Sequence, residues 1–236
     1  MRSIAKGSEP ESLRSFRAGG GRYGDFPEAP KQKLRESLVA EQRGLCCYCM
    51  SSISASSSAM KIEHWLPQRG PSGRADQELV YTNLLAACPG GQDHPPRHCD
   101  TLKGSRALRY NPADLLRQIE NIIDYRLDGT ISSQDADFNG ELGEVLGLNI
   151  PKLMNSRKGT LDGILDWWRL EQGKRQGAEA AVPKDVIERK RAKLLSQTLA
   201  NLEPFVQVRI WWLDQRLAGQ AARPSSSSAT TLRSQS

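Results

Sequence analysis

Four cysteines constrain the fold of this chain more than any other feature. Cys46 and Cys49 are separated by two residues, and Cys88 and Cys99 follow further along the chain. A tight turn over a C-x-x-C pair points both thiolates at one ion, and a tetrahedral zinc site needs two more such ligands. We therefore predict that these four residues hold a structural Zn²⁺ ion. A thiol redox role for Cys46 and Cys49 is the weaker alternative, since it leaves the other two cysteines unexplained.

The remaining ligand candidates leave one alternative open. His94 or His98 could replace one thiolate, because imidazole also binds zinc. Cys47 is predicted to be a small buried residue. The N-terminal residues contain no apolar run typical of a secretory signal, so we expect a cytoplasmic protein with reduced thiols. Clustered cysteines in that setting indicate metal binding or catalysis.

Composition narrows the class of protein and of partner. Apolar residues make up 38% of the 236-residue chain, which is typical of a globular protein, and no apolar window is long enough to span a membrane. There are 33 Lys and Arg against 27 Asp and Glu, a net charge of +6. The excess of basic residues lies mainly in the half that contains every cysteine and histidine. This distribution is weak evidence for a polyanionic substrate, because an ordinary solvated surface explains it equally well.

The pattern of elements predicts an α+β fold in three parts. Residues 1–110 are expected to form an extended arm (1–27), a helix (30–43) and a core containing the cysteines. That core is predicted to include a strand within 60–66, a buried segment at 79–87 and a helix starting near Asp100. Residues 111–218 are predicted to be mainly helical, and residues 219–236 have a disordered composition. In the middle part we expect a hairpin within 121–133 and helices at 152–172, 184–200 and 203–218.

A second group of polar residues accompanies the cysteines. Glu63 and Asp100 offer hard oxygen ligands suited to Mg²⁺. One division of roles is that these two carboxylates hold a cation while His64 acts as a base on water, with Asn83 orienting the imidazole. The alternative for His64 is an ordinary hydrogen-bonded histidine.

These motifs together resemble a known family. The ordered segments MRSIAKGSEPESL, GLCCYCM, KIEHWLPQ, NLL and HCDTLKG, with the following Asn111-Pro112, resemble HNH endonucleases along residues 1–155. The subfamily is the PtuB-like HNH component of Septu and retron-associated antiphage defence systems. The resemblance implies a zinc-stapled ββα-metal nuclease core.

The resemblance also implies a role for each matching residue. His64 would be the general base and Asn83 would position it. Glu63 and Asp100 would lie nearest a catalytic Mg²⁺ or Mn²⁺ ion, although many family members have Asp and Asn or His at these two positions. Cys46, Cys49, Cys88 and Cys99 would hold structural zinc. In the systems that the chain resembles, the nuclease would cut DNA or RNA and would work with an ABC-type or AAA-like ATPase. This chain has no phosphate-binding G-x-x-x-x-G-K-[ST] loop, so any nucleotide switching would come from elsewhere.

Basic and aromatic residues supply two further hypotheses. Lys103, Arg106 and Arg109 recur at steps of three, so on one helix they would share a face and bind phosphates; the alternative is a solvated helix end. Two tryptophan pairs, Trp167-Trp168 and Trp211-Trp212, are expected to pack within the helical part, with a partner-docking surface as the alternative. For the whole chain, the alternative to a nuclease is a non-catalytic, zinc-stapled adaptor.

Overall fold

The computed structural model describes residues 1–175, 181–196 and 200–221. Within them, seven α-helices and two small antiparallel sheets form an α+β protein, as predicted. No helix in these three ranges combines the length and apolar character that crossing a membrane requires. Short 3-10 or π segments connect the main elements; they span Tyr23–Asp25, Ala75–Gln77, Tyr81–Asn83, Ile119–Ile122 and Glu141–Val145.

The N-terminal segment is folded rather than extended. Helix α1 covers Glu11–Ala18, so the prediction of an extended arm over residues 1–27 is wrong for this stretch. Leu13 on this helix is fully buried, and the Phe16 ring packs at 5.0 Å on that of Phe26. Few apolar residues mark this helix in the sequence, and its burial depends on contacts with helix α2, Glu28–Glu41.

Two short strands and a helix form the centre of the cysteine-rich half. Strand β1, Lys61–His64, pairs antiparallel with β2, Leu84–Ala87, so that His64 lies opposite Leu84. Helix α3 follows at Cys99–Lys103. Strand β2 is buried along its whole length. The predicted strand, buried segment and helix start are therefore confirmed.

The other half is mainly helical, as predicted. A hairpin of β3, Asp124–Tyr125, and β4, Ile131–Ser132, turns at Asp128-Gly129. The helices are α4, Ala136–Gly140; α5, Pro151–Gly173; α6, Lys184–Leu194; and α7, Val206–Ala221. Helix α7 continues three residues past the predicted end at 218, while residues 222–236 of the predicted tail lie outside the described residues.

The two halves share one core. Their buried apolar side chains form a single contiguous cluster. Backbone bonds also join them: Leu202 N–H donates to Arg43 at 2.9 Å and Phe205 N–H to Met50 at 3.0 Å. The boundary placed near residue 110 stays a sequence prediction.

The tryptophan pairs contribute to this packing. Trp212 is buried, and its ring meets that of Trp168 edge-on at 5.1 Å. Trp211 donates its indole N–H to Asp124 at 3.2 Å, across the interface between α7 and β3. The packing hypothesis accounts for these contacts without a partner.

Two glycines give a matched test of the hairpin and its neighbour, helix α5. Gly129 has a φ of +87°, and a Cβ there would lie 2.0 Å from the Met154 carbonyl oxygen. We expect Gly129→Ala to lower the free energy of unfolding by about 2–4 kcal/mol, because backbone strain adds to a clash. Gly159 lies on α5 with open space around it, so Gly159→Ala should raise that free energy by about 0.5–1 kcal/mol. Urea denaturation measures both; equal effects would contradict the hairpin geometry.

Candidate metal centre and candidate active site

Four cysteines from three separate elements converge on one point. Cys46 and Cys49 lie in the turn after α2, Cys88 directly follows β2, and Cys99 opens α3. All four are buried, and their Sγ atoms lie within 4.8 Å of one another. The chain folds this way because Cys47 N–H donates to the Ala86 carbonyl at 3.0 Å, which attaches the turn to the free edge of β2.

The sulfur geometry suits a tetrahedral ion. Cys46 and Cys99 Sγ are 3.9 Å apart, and Cys49 and Cys88 Sγ are 3.7 Å apart. A tetrahedron of thiolates about 2.3 Å from zinc has edges of about 3.8 Å. Backbone N–H groups of Cys88 and Ser51 donate to two of the sulfurs at 3.3 and 3.4 Å, which favours the thiolate form. This cluster could therefore bind a metal ion such as zinc.

The other candidate ligands lie outside the thiol cluster. His98 is buried beside it, with Nδ1 3.2 Å from Cys99 Sγ and 3.9 Å from Cys88 Sγ. His94 is exposed. Burial raises the pKa of the Cys47 thiol well above its ordinary value, which fits a buried, neutral side chain. The buried cysteines lack the exposure that the redox alternative requires.

Glu63 is held by two donors in a buried position. Tyr48 donates its hydroxyl to Glu63 Oε1 at 2.7 Å, and Lys103 Nζ lies 2.7 Å from the same oxygen. Lys103 also donates to the backbone carbonyl of His64 at 3.0 Å. One buried ammonium thus links α3 to two successive residues of β1.

The Asp100 carboxyl lines the same cleft as Glu63 and acts on its charge. Burial raises the pKa of Glu63 well above its ordinary value, the Asp100 carboxyl raises it further, and Lys103 opposes both effects. Two oxygen donors that repel each other in a poorly solvated place are stabilised by a nearby cation. This donor set fits a hard divalent ion, with Lys103 supplying part of the positive charge.

The His64 ring is oriented by a backbone carbonyl. Its Nε2 lies 3.0 Å from the carbonyl oxygen of Glu78 and 2.8 Å from Gln68 Nε2, and the ring packs edge-on against Tyr23. A proton on Nε2 satisfies the carbonyl and leaves the lone pair on Nδ1, which lies 3.4 Å from Gln68 Nε2. Burial lowers the pKa of His64, so the neutral ring predominates at pH 7.

Asn83 acts on His64 only at a distance. Its side chain accepts from Leu66 N–H at 2.7 Å and donates to the carbonyls of Leu66 and Gln77, both at 3.1 Å. It therefore ties the loop after β1 to the segment whose Glu78 carbonyl holds the imidazole. Asn83 thus bonds to the backbone around the imidazole and not to the ring itself.

The predicted phosphate-binding helix face does not form. Helix α3 ends at Lys103, and Gly104 follows with a φ of +56°. Lys103 is buried against Glu63, so it cannot reach a phosphate on the surface. Arg106 donates to the carbonyls of Glu144 and Val145, both at 3.1 Å, and Arg109 pairs with two aspartates, Asp135 and Asp137.

A different cation lies at the candidate site. An open cleft of about 440 Å³ brings together Glu63, His64, Asp100 and Arg69. Arg69 is exposed and makes no ion pair or side-chain hydrogen bond with the residues that the structure describes. Sequence reasoning missed it because it lies in a polar loop without periodicity; its position five residues after His64 was the only signal.

Comparisons with known proteins assign the chain to no family. No model of a protein family matches the chain, and no curated protein matches it. The interpretation of the site therefore rests on contacts within this chain.

The thiol cluster predicts a sharp difference between neighbouring cysteines. We expect Cys46→Ser to lose bound metal and to yield largely insoluble protein, because ligation contributes to folding on the scale of about 10 kcal/mol. Cys47→Ala, the matched control, should keep the metal and fold. Metal content by mass spectrometry and thermal unfolding test both variants. Full metal occupancy in folded Cys46→Ser protein would contradict the four-thiolate site.

The Lys103 contacts predict a second difference. Lys103→Met leaves Glu63 and Asp100 without their buried cation, so the free energy of unfolding should fall by about 3–5 kcal/mol. The exposed Lys33→Met control should change it by less than about 0.5 kcal/mol. Adding Glu63→Gln to Lys103→Met should recover part of the loss in urea denaturation. Strictly additive losses in the double variant would argue against a direct pair.

Proposed function

We propose that this chain is an HNH endonuclease with a ββα-metal core that hydrolyses phosphodiester bonds of nucleic acid. The observation that carries the proposal is one open cleft lined by a neutral imidazole, a carboxylate pair and a free guanidinium. Hydrolysis of a phosphodiester needs an activated water, stabilisation of charge on phosphorus and a group that holds the phosphate.

His64 is the general base in this proposal. Its Nε2 proton is committed to the Glu78 carbonyl, so Nδ1 takes the proton of the attacking water. The lowered pKa of His64 keeps this nitrogen unprotonated at neutral pH. Asn83 is a positioning residue, because it holds the two backbone segments on either side of the ring.

Glu63 and Asp100 would hold a catalytic Mg²⁺ or Mn²⁺ ion. Such an ion, when bound, stabilises negative charge on the phosphate and on the leaving oxygen. Tyr48 and Lys103 keep Glu63 in one orientation beside Asp100. Tyr48 and Lys103 both contact Oε1, so the other oxygen of Glu63 would serve the ion that it shares with Asp100.

The four cysteines would hold structural Zn²⁺. Cys99 precedes Asp100 directly, so zinc would fix the start of α3 and with it the distance between Asp100 and Glu63. Arg69 would bind the phosphate of the substrate in the same cleft, since a guanidinium donates to two phosphate oxygens at once.

The biological setting of the proposal comes from the resemblance of the ordered motifs. In that setting the chain is the effector nuclease of an antiphage defence system and works with an ABC-type or AAA-like ATPase. The net charge of +6 is compatible with a nucleic-acid substrate.

A paired cleavage assay tests the proposed activity. Wild type, His64→Ala and His94→Ala are incubated with plasmid DNA and with tRNA, with and without added Mg²⁺ or Mn²⁺. We expect metal-dependent cutting by wild type and by the His94→Ala control, and a loss of about hundredfold or more in His64→Ala. Omitting the added ion is preferable to a chelator, which would also remove metal from the cysteines.

The contrasting outcome is defined by the same variants. If His64→Ala cuts as fast as wild type while both remain folded by circular dichroism, His64 is not the base. If wild type cuts no substrate with either ion, whether alone or together with the ATPase, the proposal of a nuclease is wrong and the hypothesis of a non-catalytic adaptor takes its place.

A further inference from the structure

Two lysines lie beside the candidate active site without a carboxylate partner. Lys31 on α2 and Lys61 on β1 are partly exposed, and neither makes an ion pair with a residue that the structure describes. The ammonium of Lys31 lies over the ring of Tyr23, and that of Lys61 donates to the hydroxyl of Thr101 at 2.8 Å. A charge that stays uncompensated at the surface attracts anions from solution.

Lys31 is connected to His64 through one aromatic ring. The Tyr23 ring meets the imidazole edge-on with centroids 4.5 Å apart, and Lys31 Nζ lies 5.1 Å from the centroid of the same tyrosine. These two distances place the ammonium at most about 10 Å from the imidazole centroid. One strand of B-DNA carries a phosphate for about every 3.4 Å of the helix axis. Lys31 is therefore within about three nucleotides of a phosphate attacked at His64.

The segment that carries Tyr23 is fixed to the loop that orients His64. Arg22 Nε lies 2.9 Å from a carboxylate oxygen of Glu78, and the backbone carbonyl of the same Glu78 lies 3.0 Å from His64 Nε2. The tyrosine is thus attached to the site by a ring contact and by the ion pair of its neighbour. The ammonium that lies over its ring has a defined place beside the imidazole.

Lys61 approaches the site from the side of Asp100. Lys61 and Glu63 are two residues apart on β1, so both side chains leave the same face of the strand. Thr101, which accepts from Lys61, directly follows Asp100 and itself donates to the Pro89 carbonyl at 2.7 Å. The ammonium therefore lies against the first turn of α3, from which the Asp100 carboxyl enters the cleft.

The charges of these two lysines are not used by carboxylates close to them. Glu28 is affected by the charge of Lys31, but its carboxylate is paired with Arg35 at 2.5 Å. The lysine and arginines of the predicted helix face differ in this respect, since Lys103 is paired with Glu63 and Arg109 with two aspartates. Lys31 and Lys61 are consequently better placed to bind a phosphate than the residues that the sequence suggested.

We propose that Lys31 and Lys61 bind the backbone phosphates that flank the phosphodiester cleaved at His64. This inference rests on the proposed nuclease function and adds the residues that hold the strand in register. An ammonium binds a phosphate as a point charge and does not distinguish bases. The two lysines would therefore fix the position of the nucleic acid in the cleft without selecting its sequence.

Fluorescence anisotropy of the full chain with a short labelled DNA duplex and a labelled RNA strand tests the proposal. Divalent ions are omitted so that cutting does not compete with binding. We expect Lys31→Gln and Lys61→Gln each to weaken binding by about tenfold, the loss of one charge-assisted contact. Each variant should also reduce the slope of log affinity against log salt by about 0.7–0.9, because one phosphate contact fewer releases fewer counterions. The double variant should reduce the slope by about twice that amount.

Matched variants separate phosphate binding from a structural role. Lys33→Gln on α2 and Lys152→Gln on α5 replace exposed lysines and should keep the affinity and the salt slope of wild type. Lys31→Arg and Lys61→Arg keep the charge and should also keep the slope. Circular dichroism checks the fold of each variant; glutamine at position 61 can still donate to the Thr101 hydroxyl.

The salt slopes decide the outcome independently of cutting. The proposal is overturned if wild type binds neither nucleic acid, if Lys31→Gln or Lys61→Gln keeps the wild-type slope, or if the arginine variants lose slope as the glutamine variants do. Wild-type cutting combined with unchanged slopes would reject these two contacts and leave the nuclease. The predicted slopes without any cutting would support the phosphate contacts and reject the nuclease.

Discussion

The convergence of four thiols is the constraint on which the rest of the structure depends. A turn after α2, the end of β2 and the start of α3 have little regular structure of their own, and all three meet at these sulfurs. Short strands of four residues cannot hold such an arrangement by hydrogen bonds alone. Because Cys99 and Asp100 are adjacent, the geometry of the thiol cluster also determines where a carboxylate enters the neighbouring cleft.

Charge compensation organises that cleft. Glu63 and Asp100 are close enough to repel each other in a buried place, and the ammonium of Lys103 counters this repulsion from beneath. The same lysine holds the His64 carbonyl, so the acidic pair and the imidazole are positioned by one side chain. A substrate phosphate would meet the exposed Arg69 and the ring nitrogen Nδ1 of His64 in the same cleft. The contacts of Lys103 with Glu63 and with the His64 carbonyl thus serve both the stability of the fold and the proposed chemistry.

Local signals in the sequence predicted most of the secondary structure and the thiol cluster. The C-x-x-C spacing, the turn at Asp128-Gly129 and the periodic apolar residues of α5 act over short distances, so they can be recognised without the fold. Other features depend on distant partners. From the sequence alone Lys103 is expected to be a surface cation, whereas in the structure it lies 2.7 Å from Glu63. Helix α1 is stabilised by the burial of Leu13, which the composition of the helix does not indicate. The hydrogen bonds of the Asn83 side chain could not be predicted from the sequence either, because its partners are backbone atoms of a loop.

The most direct test of the account is anomalous X-ray scattering from crystals of the protein soaked in Mn²⁺. Data collected on either side of the zinc and manganese absorption edges locate each metal separately. The account predicts a zinc peak at the centre of the four cysteine sulfurs and a manganese peak beside Glu63 and Asp100, within reach of the cleft that His64 lines. A manganese peak elsewhere, or a zinc peak away from the sulfurs, would contradict it.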